Sequence, residues 1–158
     1  RKSRPRIGYV PQLEAIDWNF PVTVEQVVLM GATRNAPLLP WFRRKDRLRA
    51  DQVLGRLGLD GLANRQIRGL SGGQQQRVAI ARALANDPEI ILADEPTGNL
   101  DQKTAVSVGT LLLELAREQA AVLICVTHSL ELANRFARRG ELVDGRLIEI
   151  GPGSEAGG

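Results

Sequence analysis

Apolar and polar residues follow one another in blocks whose internal spacing predicts alternating strands and helices. The uninterrupted apolar runs in "EIILA" and "AVLICV" are typical of strands buried on both faces of a parallel sheet. "RIGYV" predicts another short buried strand near the start of the sequence. Two further apolar runs flank Asp144 and Gly145 in "ELVDGRLIEI", and this pair is a strong hairpin signal.

Helical spacing appears between these strands. "VTVEQVVLMG" has valines at helical spacing, and a loop rich in Pro and Gly is predicted after it in "GATRNAPLLP". A second helix is predicted from about residue 46 to residue 57, with Gly58 placed to end it. A third begins in "LSGGQQQRVAIARAL" and must stop before Pro88. A fourth spans residues 102–118, with Val106, Thr110 and Leu113 on one apolar stripe that Leu111, Leu112 and Leu115 widen. A fifth in "SLELANRFA" is capped by Ser129.

The order of these elements predicts an α/β fold with a parallel sheet. A mostly helical insertion, about residues 22–86, interrupts an α/β core made of residues 1–21 and 87–150, and residues 151–158 form a flexible tail. Parallel sheets of this kind bind ligands at the carboxyl ends of their strands. The polar residues that follow the predicted strands are therefore the first candidates for a functional site.

Composition narrows the class of protein. The chain has 158 residues, of which 43% are hydrophobic and 25% charged, which suits one globular domain without a bilayer-spanning segment. Its single cysteine, Cys125, lies in an apolar run and is expected to be a buried structural thiol. With one histidine and one cysteine, a clustered zinc site is excluded. Because the sequence starts with Arg1 and strand-like residues follow at once, a fragment of a longer chain is expected.

Basic residues concentrate in "RKSRPR" and "WFRRKDRLR", and the net charge is +3. Nucleic-acid binding is one interpretation of such patches, and a solvated helix face or terminus is the more common one. Aromatic residues make up only 4% of the chain, which weakens any interpretation based on base stacking. No nucleic-acid partner is expected.

Two adjacent carboxylates, Asp94 and Glu95, end the strand in "ILADEP". An aspartate at the end of a hydrophobic strand can hold the magnesium ion of a nucleotide, and a second carboxylate can orient or deprotonate an attacking water. The same residues also suit a plain turn after a strand. His128 in "VTHS" and Gln12 in "YVPQ" follow two other predicted strands. His128 could contact a γ-phosphate, although a lone histidine is more often structural. Gln12 could contact magnesium or the attacking water, although it also fits a surface loop.

The clearest ligand signal is "LSGGQ" at the start of the third helix. The first N–H groups of a helix lack partners within it, and its dipole favours an anion there. Ser71 adds a hydroxyl group, while Gly72 and Gly73 leave room for close approach. Ser71 also suits an ordinary N-cap, which leaves the two glycines without a reason. None of the three lysines follows a glycine, so residues 1–158 contain no G-x-x-x-x-G-K-[ST] phosphate-binding loop.

Together these motifs resemble the ATP-binding subunit of ABC transporters. "YVPQ" resembles the Q-loop, "LSGGQQQRVAIARAL" the signature motif, "ILADEPTGNLD" the Walker B motif and D-loop, and "VTHS" the H-loop, in the family's order. The resemblance extends from residue 6 to about residue 150. It implies a P-loop NTPase-type sheet of the ABC ATPase kind with an inserted helical subdomain. The departure is the missing Walker A strand, loop and helix, together with the adenine-stacking aromatic residue before it.

The resemblance also implies roles for individual residues. Glu95 is the expected catalytic base, Asp94 the magnesium carboxylate, and His128 the switch histidine at the γ-phosphate. Gln12 is expected to contact magnesium and to connect the nucleotide with the transporter interface. The remaining expected nucleotide-binding residues lie in the signature and the D-loop: Ser71, Gly72, Gly73, Gln74 and Asp101. ATP and Mg²⁺ are the implied cofactors, and this chain alone is expected to be inactive.

The resemblance further implies partners and a location. A second ATPase subunit is expected to pack head to tail, so that each signature closes over ATP held by the other subunit. A membrane permease is the expected partner on the cytoplasmic face of the cell membrane, with a substrate-binding protein as a further candidate. The first half resembles the manganese/zinc uptake branch and the second half the lipoprotein-release and macrolide-export branch; metal uptake is slightly favoured. A nucleic-acid-linked ABC ATPase and a degenerate, non-hydrolysing domain are the alternatives.

Overall fold

The computed structural model describes residues 4–32, 42 and 44–150, and in these residues three parallel strands form the main sheet. The strands are β1 (Ile7–Val10), β2 (Ile90–Asp94) and β3 (Val122–Val126), with β2 in the centre. A separate antiparallel hairpin follows, made of β4 (Arg139–Val143) and β5 (Arg146–Ile150). The predicted parallel sheet and hairpin are therefore confirmed, and the three parallel strands end at one edge.

Five helices lie between and after the strands in the described part of the chain. They are α1 (Val24–Ala32), α2 (Arg44–Arg56), α3 (Gly72–Leu84), α4 (Gln102–Glu118) and α5 (Leu130–Ala133). The predicted helix start after Ser71 and the stop before Pro88 are confirmed. Ser129 caps α5 by accepting a bond from the Leu132 amide, although α5 is shorter than "SLELANRFA" predicted. Residues 33–40 of the predicted loop and the predicted tail at 151–158 lie outside the described residues.

Among the described residues, helices cover only one side of the sheet. Gly8, Val10, Ile91 and Ala93 are buried on the side that faces the helices. The opposite side carries large apolar residues that are between 49 and 62% exposed: Ile7, Tyr9, Val122, Ile124 and Val126. The prediction that "RIGYV", "EIILA" and "AVLICV" form fully buried strands is therefore wrong for this structure, because no described helix packs on the second side.

The buried face of α4 matches the predicted stripe only in part, at Leu112 and Leu115. Its buried residues are Val108, Gly109, Leu112, Leu115 and Ala116. Val106 is 41% exposed, and the Thr110 hydroxyl donates to its carbonyl group. The stripe is rotated because α4 packs on α3 and β3 through the side that carries Leu112. Apolar residues occur all around this helix, so spacing alone does not select its inner face.

Helix α3 is the central element of the hydrophobic core. It packs against α1, α2, α4 and β1, and seven of its residues are buried. The division into a helical subdomain at 22–86 and an α/β core remains a prediction. Because α3 contacts both β1 and the preceding helices, it joins the "LSGGQ" motif at its start to the sheet at its other end.

Candidate functional site

The carboxyl edge of the sheet brings together the residues that the sequence analysis singled out there. Asp94 is the last residue of β2, Glu95 follows it, and Thr127 and His128 follow β3. The parallel register of β2 and β3 pairs Asp94 with Val126, which places these residues at the same level. A compact polar cluster results at the end of two neighbouring strands.

The Glu95 carboxylate is held by β3 and the residues after it. Its Oε1 accepts a hydrogen bond of 2.8 Å from the His128 amide, and its Oε2 accepts one of 3.4 Å from the Thr127 hydroxyl. The side chain is 12% exposed, so most of it is shielded from water. Glu95 has a φ of 44°, which is uncommon for a residue with a side chain and clusters at functional sites. Two hydrogen bonds therefore hold the carboxylate in place, and a small part of it stays exposed at the edge of the sheet.

The His128 imidazole lies beside the same carboxylate. Its Nε2 is 3.5 Å from Glu95 Oε1, and the two form an ion pair when the imidazole is protonated. The ring is 99% exposed. A ring in this position can contact a ligand at the sheet edge while it remains next to Glu95.

Asp94 has a neighbour that the sequence analysis did not identify. The Tyr9 hydroxyl donates a hydrogen bond of 3.4 Å to Asp94 Oδ2. Tyr9 pairs with Leu92, and Asp94 lies two residues further along the same face of β2. The tyrosine in "YVPQ" is the signal that could have pointed to this contact, once the register was known.

Gln12 ends up at the same edge, after β1 and Pro11. It begins a short 3-10 turn, Leu13–Ala15, and its carbonyl accepts a bond of 3.0 Å from the Ala15 amide. Its side chain makes no capping bond in that turn. This turn is also joined to the residues after β2, because the Asn99 side chain donates a hydrogen bond of 3.1 Å to Glu14 Oε1.

Cys125 lies on β3 behind the carboxylates. Burial, followed by the negative charges of Glu95 and Asp94, raises the pKa of its thiol to about 12. The thiol is therefore neutral at physiological pH, in agreement with a structural role. The prediction that Cys125 is buried is only partly right, because its side chain has intermediate exposure.

This pKa predicts slow modification of the thiol in the folded chain. From an ordinary value of 9.0, a rise to about 12 lowers the thiolate fraction near pH 8 by about 10³-fold. The rate of reaction with iodoacetamide should rise about tenfold per pH unit without levelling off near pH 9. Glu95→Gln should speed the reaction, because it removes a negative charge that raises the pKa. A plateau near pH 9 in the folded chain would contradict the prediction.

The second group of candidate residues lies at the start of α3. Ser71 is the N-cap, its Oγ accepts from the Gln74 amide at 3.4 Å, and Gln74 Oε1 accepts from the Ser71 amide at 3.0 Å. This reciprocal capping box satisfies two amide groups at the helix end. The ordinary capping role of Ser71, considered from the sequence, is thus present. Ser71 and Gly72 are nevertheless exposed, and a ligand can reach the helix start.

The start of α4 lies next to the start of α3. Asp101 caps α4, and its Oδ1 accepts a bond of 3.1 Å from the Thr104 amide. Hydrogen bonds from the Thr104 side chain and amide hold the pKa of Asp101 below its ordinary value. Gly72 faces Leu100 and Gly73 faces Thr104 across the gap between the helices. The structure therefore brings the signature and D-loop residues together within one chain.

No helix among residues 4–32, 42 and 44–150 is long and apolar enough to cross a membrane. The same residues contain no group of three or more His, Cys, Asp or Glu side chains arranged to hold a metal ion.

Comparison with known proteins identifies relatives of this arrangement. The family model described as ABC transporter matches residues 1–98. The manganese transport system ATP-binding protein MntB of Halalkalibacterium halodurans is 40% identical over 96% of the chain and 60% of its own length. The lipoprotein-releasing system ATP-binding protein LolD 1 of Rhodopseudomonas palustris is 50% identical over 89% of the chain and 60% of its own length. The chain therefore spans about three fifths of these relatives.

Solved structures give the same result. A metal-chelate type ABC transporter in an inward-facing conformation matches with a TM-score of 0.85 and 31% identity, covering 96% of this chain and 60% of that one. A dimeric ATP-binding cassette in a post-hydrolysis state, bound to ADP and phosphate, matches with a TM-score of 0.72 and 38% identity. That match covers 96% of this chain and 65% of the cassette.

Proposed function

Because this chain belongs to the ABC transporter family as an ATP-binding domain, we propose that its full-length protein hydrolyses ATP to drive transport through a membrane permease. The observation that carries the proposal is the Glu95 carboxylate, held by Thr127 and His128 at the carboxyl edge of the sheet beside Asp94. The sheet edge is where parallel α/β folds bind nucleotides. The proposed location is the cytoplasmic face of the cell membrane.

We propose a separate role for each residue at this edge. Glu95 is the general base that orients and deprotonates the attacking water, and His128 contacts the γ-phosphate from its exposed position. Asp94 fits Mg²⁺, which takes one or two carboxylates together with substrate phosphates, and Gln12 at the neighbouring strand end is the second ligand. When bound, Mg²⁺ neutralises charge on the phosphates. Tyr9 holds the Asp94 carboxylate at the sheet edge through its hydroxyl.

The start of α3 is proposed to act on a second subunit. Its exposed amide groups and the positive end of the helix dipole suit a phosphate group. We propose that a partner subunit packs head to tail and brings its ATP to Ser71, Gly72, Gly73 and Gln74. Asp101, which caps α4 beside them, lies at the same proposed dimer interface.

We further propose that residues outside this sequence supply the phosphate-binding loop. Two observations support this: the relatives are longer than the chain, and the apolar side of the sheet around Ile124 is half exposed, as suits a surface that a further helix covers. A degenerate domain without such a loop is the alternative. The paired carboxylates at 94 and 95 and the histidine at 128 favour the hydrolysing form.

The 158 residues alone are expected to show no magnesium-dependent ATP hydrolysis, because they contain no phosphate-binding loop. The full-length product of the gene, assembled with its permease, is expected to release phosphate from ATP at an ordinary enzymatic rate. Phosphate release by both proteins, at equal concentration and with EDTA as the control, is the measurement. Robust turnover by residues 1–158, or none by the assembled protein, would contradict the proposal.

The proposed cargo is a metal ion such as manganese or zinc. Support comes from the relative in the manganese system, which matches nearly the whole chain, and from the metal-chelate type transporter with a TM-score of 0.85. Lipoprotein release is the second candidate, favoured by the higher identity of 50% to the relative from Rhodopseudomonas palustris. The residues that bind the cargo would belong to the permease or the binding protein.

The two candidates are separated by a transport experiment in cells that lack the gene. Loss of ⁵⁴Mn or ⁶⁵Zn accumulation, restored by the wild-type gene and not by its Glu95→Gln variant, would support metal uptake. Normal metal accumulation together with lipoproteins retained in the inner membrane would support the second candidate instead.

A further inference from the structure

We propose that Thr104 is a positioning residue for the signature turn, residues 71–74, and that Gly73 is required because the Thr104 methyl group occupies the space beside it. This inference rests on the proposed function, since it concerns residues that are proposed to face a partner's ATP. It assigns the requirement for glycine at residue 73 to packing within the chain, whereas the sequence suggested close approach of a phosphate.

The packing space at the two glycines differs sharply. A β-carbon built on Gly73 would lie 2.5 Å from Thr104 Cγ2, a distance that real β-carbons essentially never show, and 3.9 Å from Thr104 Cβ. A β-carbon on Gly72 would meet Leu100 Cδ2 at 3.5 Å, which is an ordinary van der Waals contact. A side chain at residue 73 therefore requires Thr104 to shift, whereas a small one at residue 72 fits without any movement. The conflict at residue 73 involves the Thr104 methyl group alone.

The Thr104 methyl group has few directions in which to turn away. Thr104 is β-branched and lies in the first turn of α4, where few χ1 rotamers are allowed. Its amide donates a hydrogen bond of 3.1 Å to Asp101 Oδ1, which caps the helix and fixes the backbone of this turn. The backbone and the allowed rotamers together keep the methyl group close to Gly73.

This packing joins two motifs that are separate in the sequence. Asp101 caps the turn that contains Thr104, and the Thr104 methyl group packs against Gly73. Gly73 in turn lies two residues after Ser71 in the signature turn. A shift at the start of α4 therefore moves the start of α3. In the proposed dimer, the D-loop and the signature of one chain would respond to a partner's nucleotide as one unit.

The test is a double-mutant cycle in the full-length protein assembled with its permease. Gly73→Ala is expected to lower kcat/KM for ATP by about tenfold or more, because overpacking of this kind displaces the helix ends. Adding Thr104→Ser removes the methyl group and keeps the hydroxyl, and should raise kcat/KM several-fold above that of Gly73→Ala, while Thr104→Ser alone stays active. Thr104→Val is the matched control: it keeps a methyl group, loses the hydroxyl, and should not rescue Gly73→Ala.

Urea unfolding of the same variants separates this inference from the proposed function. The unfolding midpoint should fall in Gly73→Ala and recover when Thr104→Ser is added, whether or not the protein hydrolyses ATP. Recovery of folding where Gly73→Ala alone does not fold would also support the inference. A double variant as impaired as Gly73→Ala, with Thr104→Ser alone active, would overturn it and return Gly73 to nucleotide approach. Wild-type activity and midpoint in Gly73→Ala would overturn it as well.

Discussion

Replacement of Glu95 by glutamine is expected to lower ATP hydrolysis by the full-length assembled protein by about 10²- to 10⁴-fold, the usual contribution of a general base. The amide has nearly the shape of the carboxylate, and its oxygen can still accept the bond from the His128 amide. It has lost the basicity needed to take a proton from water. Binding of ATP and closure of the dimer should therefore persist while turnover stops.

Single-turnover phosphate release, with ATP binding measured in parallel by fluorescence of a labelled nucleotide, tests this expectation. Glu114→Gln is a matched control, because Glu114 is an exposed carboxylate on α4 away from the sheet edge. It should hydrolyse ATP at the wild-type rate. Unchanged hydrolysis in Glu95→Gln would remove the base role from Glu95, and loss of ATP binding would indicate a role in holding the nucleotide.

Replacement of Gly8 by alanine is expected to destabilise the full chain by about 3 kcal/mol, at the upper end of the usual cost of overpacking. A β-carbon on Gly8 would lie 2.4 Å from the Ala83 carbonyl oxygen and 3.1 Å from its carbon. Those atoms belong to the backbone of α3 and cannot rotate away. The added methyl group would push β1 away from α3, and Gln12 follows directly after β1.

Urea unfolding measures this effect, and Gly55→Ala is its control. Gly55 is an exposed residue of α2, and a β-carbon there would meet nothing within 4 Å. Alanine should therefore raise stability at that site by about 0.5–1 kcal/mol through its better helix propensity. Equal midpoints for Gly8→Ala and the wild type would show that β1 and α3 separate freely.

The positions of most elements could be predicted because they depend on local pattern. The start of α3 follows from Ser71 and the helical run after it, and its capping box uses residues three apart. The hairpin follows from Asp144 and Gly145, whose φ angles of 47° and 75° suit its tight turn. The polar cluster at the sheet edge follows from polar residues that end a strand or come directly after it.

The contacts across the chain could not be predicted in the same way. Tyr9 and Asp94 are 85 positions apart, and so are Glu14 and Asn99. Their contacts depend on the register of β1 against β2 and on where each loop turns. Spacing along one segment holds no information about a register between two segments.

At the two glycines of the signature, the local sequence pattern and the tertiary structure give different information. The sequence by itself determined that a capped helix starts at residue 72, because capping acts within one turn. It also predicted a phosphate contact there, since the helix dipole favours an anion at that end. Only the tertiary structure decided that a β-carbon fits at Gly72 but meets the Thr104 methyl group at Gly73. The reason is that steric exclusion at Gly73 comes from Thr104 on another helix, and the distance between two packed helices is decided by the whole core.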